Sequence, residues 1–118
     1  MGCTFCGIAG HTIDAMNVYE DERVIAFRDI HPKAPLHVLV MPKEHIQSVA
    51  DLKEDQADIV AKLIFAAQYV AARNDLKGYK LVFNVGRDGG QTVDHLHMHV
   101  LGGWEKPEDR RKGFMDEE

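Results

Sequence analysis

Three histidines, His95, His97 and His99, alternate with Leu96, Met98 and Val100 in the stretch DHLHMHVLGG. The chain holds seven histidines in all, so three within five residues is a concentration that asks for a chemical reason. On an extended backbone, side chains alternate faces, which gives the three imidazoles one shared face at steps of roughly 6.8 Å. The intervening Leu96, Met98 and Val100 then point together into a core. Three uses of such a face compete: surface histidines without a role, a three-histidine metal site, and nucleophilic catalysis. Ligand atoms around a zinc ion lie within a few Å of one another, so three residues along one straight strand span too far for a single ion. An imidazole near neutral pH is uncharged and nucleophilic, and its neighbours can select its tautomer.

A second pair, Cys3 and Cys6, has C-x-x-C spacing. It supplies half a zinc site, and two more ligands must come from elsewhere in the fold. Two free thiols on a frayed terminus, or a redox pair, are the other readings. The redox reading is weak because no βαβ unit follows.

These groups need elements to position them. Val24 to Phe27 reads as a short buried strand, and the acidic run before it as the turn of a hairpin. The prolines at 32 and 35 make a loop. Leu36 to Met41 is a strand that Pro42 ends. Asp51 to Asn74 is the one long helix, with Ile59, Val60, Leu63, Ile64, Ala67, Val70 and Ala71 at helical steps. Asp51 and Glu54 suggest its capping box. Lys80 to Asn84 is a strand, Gly86 to Gly90 a tight loop, and Val93 to Leu101 the last strand. One helix over an antiparallel meander makes an α+β fold.

At 118 residues the chain is expected to form one domain, with 1–103 as core and 104–118 as a polar tail. Its 45% hydrophobic and 28% charged content is that of a globular protein. A net charge of −5 argues against a nucleic-acid partner, which needs a basic face. No apolar run is long enough for a bilayer, and the start lacks a cationic region followed by an apolar block. No membrane partner and a cytoplasmic location are expected.

The motif HLHMHVL, the block FRDIHPKAPLHVLVMPKEHI and the stretch GYKLVFNVGRDGGQTVDHLHMHVLGG together resemble the histidine triad (HIT) superfamily, in its Hint-like branch. The resemblance runs from about Cys3 to Gly103. It implies a HIT fold: a five-stranded antiparallel sheet and one long helix, with two sheets joined edge to edge across a homodimer. The implied activity is a hydrolase that binds a purine nucleotide. Such an enzyme would cleave nucleoside 5′-phosphoramidates or aminoacyl adenylates through a nucleotidyl-histidine and release AMP or GMP. A dinucleoside polyphosphate hydrolase, or a nucleotide-binding interaction module with incidental catalysis, remain alternatives.

The same resemblance carries residue roles. His97 is the nucleophile. His99, as a protonated ring, is the acid beside the phosphoryl oxygens. His95 and His37 complete the catalytic set. Asn84, Gly90, Gln91 and Val93 meet the phosphate and the leaving group, and Asp29 accepts the ribose hydroxyls. Phe5, Ile8 and Ile30 sandwich the base, although each alone reads as plain core. His31 stands where the branch has a small polar residue. Cys3, Cys6, His45 and His95 are the ligands implied for a structural Zn2+.

Overall fold

The computed structural model describes residues 3–111; the expected tail therefore lies partly outside the described residues, from 112 to 118. A short helix, α1 (Thr4–Ala9), opens the chain. Strands β1 (Asn17–Glu20) and β2 (Val24–Arg28) form the expected hairpin, and β3 (Leu36–Pro42) pairs antiparallel with β2. Helix α2 (Ala57–Arg73) crosses one face of the sheet, and β4 (Tyr79–Val82) and β5 (Met98–Gly102) complete it. All pairings are antiparallel, in the order β1-β2-β3-β5-β4. The α+β expectation holds. The meander does not: β5 inserts between β3 and β4 and so occupies an interior position. Among the described residues, no helix is long and apolar enough to cross a membrane.

Alternation along the strands sorts the core into two layers. Val24, Ala26, Val38, Val40, Leu96, Met98 and Val100 face α2, where Ile59, Leu63, Ala66, Ala67 and Val70 close the main core. The opposite face carries Ile25, Phe27, Leu39 and Met41, covered by Phe5 and Ile8 of α1. The sheet is thus buried on both faces around its centre, which explains why β2 and β3 read as continuous apolar runs.

β4 runs Tyr79–Val82 where Lys80 to Asn84 was expected, and two boundaries differ by five residues or more. The helix starts at Ala57, not Asp51, because Asp51 is consumed upstream: Ser48 caps a short 3-10 turn at Val49–Asp51, and its hydroxyl donates to the Asp51 carboxylate at 2.9 Å. Leu52 is extended at φ −67°, ψ 142°, which breaks the helical path before Lys53. A second turn, Glu54–Gln56, leads into α2. The last strand begins at Met98, not Val93, because its ladder with β3 ends at the Val40–Met98 pair. The Pro42 carbonyl instead accepts from the His95 ring at 2.8 Å, and Leu96 N–H donates to the Ile46 carbonyl at 2.6 Å.

Candidate active site and metal centre

His95 and His97 therefore precede the sheet ladder, yet the two-residue alternation survives through them. Leu96 joins Met98 and Val100 in the main core, while all three imidazoles lie on the other face. All three are buried. The His97 and His99 ring centres stand 5.1 Å apart, closer than a flat strand would bring them.

Hydrogen bonds to groups of fixed polarity assign each ring its proton. A backbone carbonyl only accepts, so the His97 Nδ1–H donates to the His95 carbonyl at 2.7 Å. The His97 Nε2 then carries a lone pair, and it has no hydrogen-bond partner among the described residues. At His37 the order reverses. The Lys33 backbone N–H donates to His37 Nδ1 at 3.0 Å, so the proton sits on His37 Nε2 and is donated to His99 Nδ1 at 2.9 Å. His99 is thereby left with its own proton on Nε2. Asp29 Oδ2 lies 3.4 Å from the same His37 nitrogen.

Burial pushes His37, His95 and His97 below the ordinary histidine value. For His99, burial acts first and the neighbouring His97 and His37 charges add to it, driving the value down to about 3. This direction runs against the protonated ring that the resemblance allows at residue 99. Burial and the donor facing its Nδ1 favour the neutral ring. It offers an N–H donor, not an imidazolium.

The expected base-binding residues gather around one cavity of about 320 Å³. Phe5, Ile8 and Ile30 line it together with Asp29, expected at the ribose, and Val93, expected at the phosphate through its backbone; Phe27 and Leu39 from the sheet, Ile13 and His31 join them. Phe5 also packs edge-on against the His97 ring, at 5.0 Å and 83°, so the cavity abuts the triad. Phe5 and Ile8 are core and cavity wall at once. Ile30 is not core at all: it is 81% exposed at the lip. Asp29 is buried, and its Oδ1 accepts from His31 N–H at 2.8 Å.

The loop before the triad is braced internally. Gln91 is buried; its Oε1 accepts from Gly86 N–H, and its Nε2 donates to the carbonyls of Gln47 and Val93. Both amide hydrogens are thus committed to backbone, so here Gln91 shapes the loop. Asn84 Nδ2 donates to the Gly89 carbonyl at 2.9 Å. Gly90 closes the turn at φ 91°, a conformation that a Cβ makes costly. Arg87 is spent on Asp94 at 2.9 Å and on the Gln91 carbonyl.

The four residues named for a metal converge. Cys3 Sγ and Cys6 Sγ each lie 3.4 Å from His95 Nδ1, Cys6 Sγ lies 3.2 Å from His45 Nδ1, and all four donor atoms fall within 4.8 Å of one another. A tetrahedron with zinc–sulfur and zinc–nitrogen bonds of ordinary length has S···N edges of about 3.5 Å. His95 donates its Nε2–H to Pro42, so Nδ1 presents a lone pair to the sulfurs. Burial and the adjacent Cys3 push the Cys6 thiol up to about 11. The donor set fits a closed Cys₂His₂ zinc site, and the Pro42 carbonyl orients one of its ligands, His95.

Sequence reasoning missed α1, Pro42, Lys33 and Gln47. Three of these act through backbone groups, which leave no mark on side-chain patterns. Cys3 caps α1 by accepting from Cys6 N–H at 3.2 Å, a role that thiols rarely advertise.

Comparison with known proteins agrees with this geometry. The HIT domain family model matches residues 11–106. The chain belongs to the HIT family. Protein HitA of Neisseria gonorrhoeae is 41% identical over 101 residues, covering 85% of this chain and 94% of HitA. A HIT family hydrolase from Clostridium thermocellum superposes with a TM-score of 0.84 at 48% identity, covering 87% of this chain and 91% of the other. A zinc-bound histidine triad family protein from Mycobacterium smegmatis superposes at 0.80 with 32% identity, covering 92% and 79%. The HIT match begins at His11, so Cys3 and Cys6 lie ahead of it.

Proposed function

We propose that this HIT protein hydrolyses purine nucleoside 5′-phosphoramidates or aminoacyl adenylates through a nucleotidyl group on His97, releasing AMP or GMP. The observation that carries the reading is the His97 ring. Its Nδ1 proton is pinned by a carbonyl, and its Nε2 lone pair is bare and buried beside an apolar cavity of purine size.

In this mechanism the base enters between Phe5, Ile8 and Ile30, and Asp29 accepts the ribose hydroxyls. His97 Nε2 attacks the α-phosphorus. The bond from phosphorus to the leaving group breaks, and the His95 carbonyl stabilises the charge that appears on the His97 ring. His99 donates its Nε2–H to a phosphoryl oxygen as a neutral donor. Water then attacks phosphorus, the His97–phosphorus bond breaks, and the water proton passes to solvent. A phosphoramidate nitrogen already protonated by solvent leaves as an amine, and an aminoacyl adenylate expels a carboxylate. Neither leaving group requires a cationic acid, which suits a neutral His99. Gly90, Asn84 and Val93 belong to the phosphate side.

A structural Zn2+ held by Cys3, Cys6, His45 and His95 would tie the N-terminus to the triad segment without an open position for substrate. We also propose a homodimer, joined through the free edge of β4 and the exposed Ile64, Phe65 and Tyr69 of α2. A cytoplasmic location accords with two reduced thiols.

The test is His97→Ala against adenosine 5′-phosphoramidate, with a diadenosine polyphosphate run in parallel. Turnover of the phosphoramidate should fall by at least about 10⁴-fold while AMP still binds. Intact mass after rapid quench should show one adenylyl group on the wild type and none on the variant. Undiminished turnover by His97→Ala would end the proposal. Faster cleavage of the diadenosine substrate would reassign the leaving group.

A further inference from the structure

Helix α1 has six residues, too few to sustain itself in water. It nevertheless supplies Phe5 and Ile8 to the base cavity. The returning loop folds tightly onto it: Thr12 and Ile13 N–H both donate to the Gly7 carbonyl. A Cβ at Gly7 would come within 2.5 Å of the Ile13 side chain, which also lines the cavity. One wall of the cavity is therefore a single small unit, residues 4 to 13. The facing wall, with Phe27 and Leu39, belongs to the rigid sheet.

What fastens this unit to the sheet is limited. Phe5 meets Phe27 edge-on at 5.5 Å, and Ile8 completes the apolar cluster. A hydrogen bond between the His11 ring and the Glu20 carboxylate at 2.7 Å is exposed and contributes little. A further attachment among the described residues is the cluster of Cys3, Cys6, His45 and His95. Two of its donors bracket the first turn of α1, and the other two come from the segment after β3 and from the triad. His95 joins both sites. Its ring faces the two sulfurs, and its carbonyl fixes the tautomer of His97. Phe5, between Cys3 and Cys6, touches the cavity, His97 and His95.

We infer that the cysteine–histidine cluster is the clamp of the base pocket, so that zinc loading and nucleotide binding are thermodynamically coupled through α1. Phe5 is the positioning residue that joins the two. This rests on the nucleotide reading of the cavity. With zinc bound, the wall is held at the spacing a purine requires. Without zinc, the wall keeps its apolar contacts and the His11–Glu20 hydrogen bond but loses the ligand bonds, and the base must order it on entry. Coupling of this kind is reciprocal: the factor by which zinc tightens AMP equals the factor by which AMP tightens zinc.

The experiment measures both arms on the full chain. AMP affinity is read calorimetrically on zinc-loaded and chelator-stripped protein. Zinc affinity is read by competition with a chromophoric chelator, with and without saturating AMP. Each should shift by about tenfold or more, and by the same factor. Should the stripped chain unfold, the rate of zinc transfer from loaded protein to excess chelator replaces the first arm. AMP should slow that transfer by about tenfold in the wild type. Phe5→Ala should still load zinc, but with coupling below about threefold. A zinc ion that only stabilises the fold would leave the coupling of Phe5→Ala at the wild-type value, which overturns the role of Phe5. AMP affinities within about twofold in the loaded and stripped forms overturn the clamp and leave the nucleotide reading standing. Failure to take up zinc overturns the clamp alone. AMP that binds neither form overturns both.

Discussion

Acidification from pH 7 to pH 5 should destabilise the fold through His99, and the size of the effect follows from one ring. His99 is fully buried, and its Nδ1 accepts a hydrogen bond from His37, so the folded state holds it neutral down to about pH 3. In the unfolded chain the same side chain titrates near pH 6.5. Between these values the unfolded state binds a proton that the folded state refuses, so stability falls as acid is added. The loss begins near pH 6.5 and continues toward pH 3. Between pH 7 and pH 5 this amounts to about 2 kcal/mol from His99 alone. His37 is depressed by burial as well and adds in the same direction. Urea unfolding at fixed zinc concentration measures the effect. His99→Asn keeps an acceptor for the His37 Nε2–H, and it should weaken the pH dependence by about one proton. Equal stability of the wild type at pH 7 and pH 5, or an unchanged pH slope in His99→Asn, would refute the neutral, buried assignment of His99.

Other perturbations test the framework around the site. Leu63→Ala removes a fully buried side chain from between α2 and the sheet; chemical denaturation should show a loss of about 2–5 kcal/mol. Gly90→Ala forces a Cβ into φ 91° and should cost about 1–2 kcal/mol, read from thermal melts, with a raised KM as the Gln91 brace shifts. Phe65→Glu alters a side chain 64% exposed on α2. Sedimentation should shift it toward monomer, whereas the isolated fold should change by no more than about 0.5 kcal/mol.

Much of the site was legible because it depends on alternation, which is local. His95, His97 and His99 share a face whether or not a partner strand is present, so their common orientation followed from spacing even though the ladder begins only at Met98. The convergence of Cys3, Cys6, His45 and His95 was legible through family resemblance alone; no spacing rule reaches across 92 residues. Helix α1 was not legible, since so short a segment owes its form to the burial of Phe5 and Ile8 and to a sulfur cap. The insertion of β5 beside β3 was hidden for a different reason. A strand's sequence states which face it buries but not which edge it joins. The environment of His99 was not legible, because its burial and the direction of the His37 hydrogen bond are properties of the assembled molecule.

The interior position of β5 has a consequence for biosynthesis. The strand that carries the end of the triad is the last to be made, yet it must settle between two strands already synthesised, β3 and β4. Until about residue 102 has left the ribosome, β3 presents an open edge and β4 has no neighbour. Pairings so distant along the chain close slowly and late. A fragment that stops short of residue 97 therefore lacks both the central histidine of the triad and the completed sheet, and the triad takes its place in the same event that seals the fold.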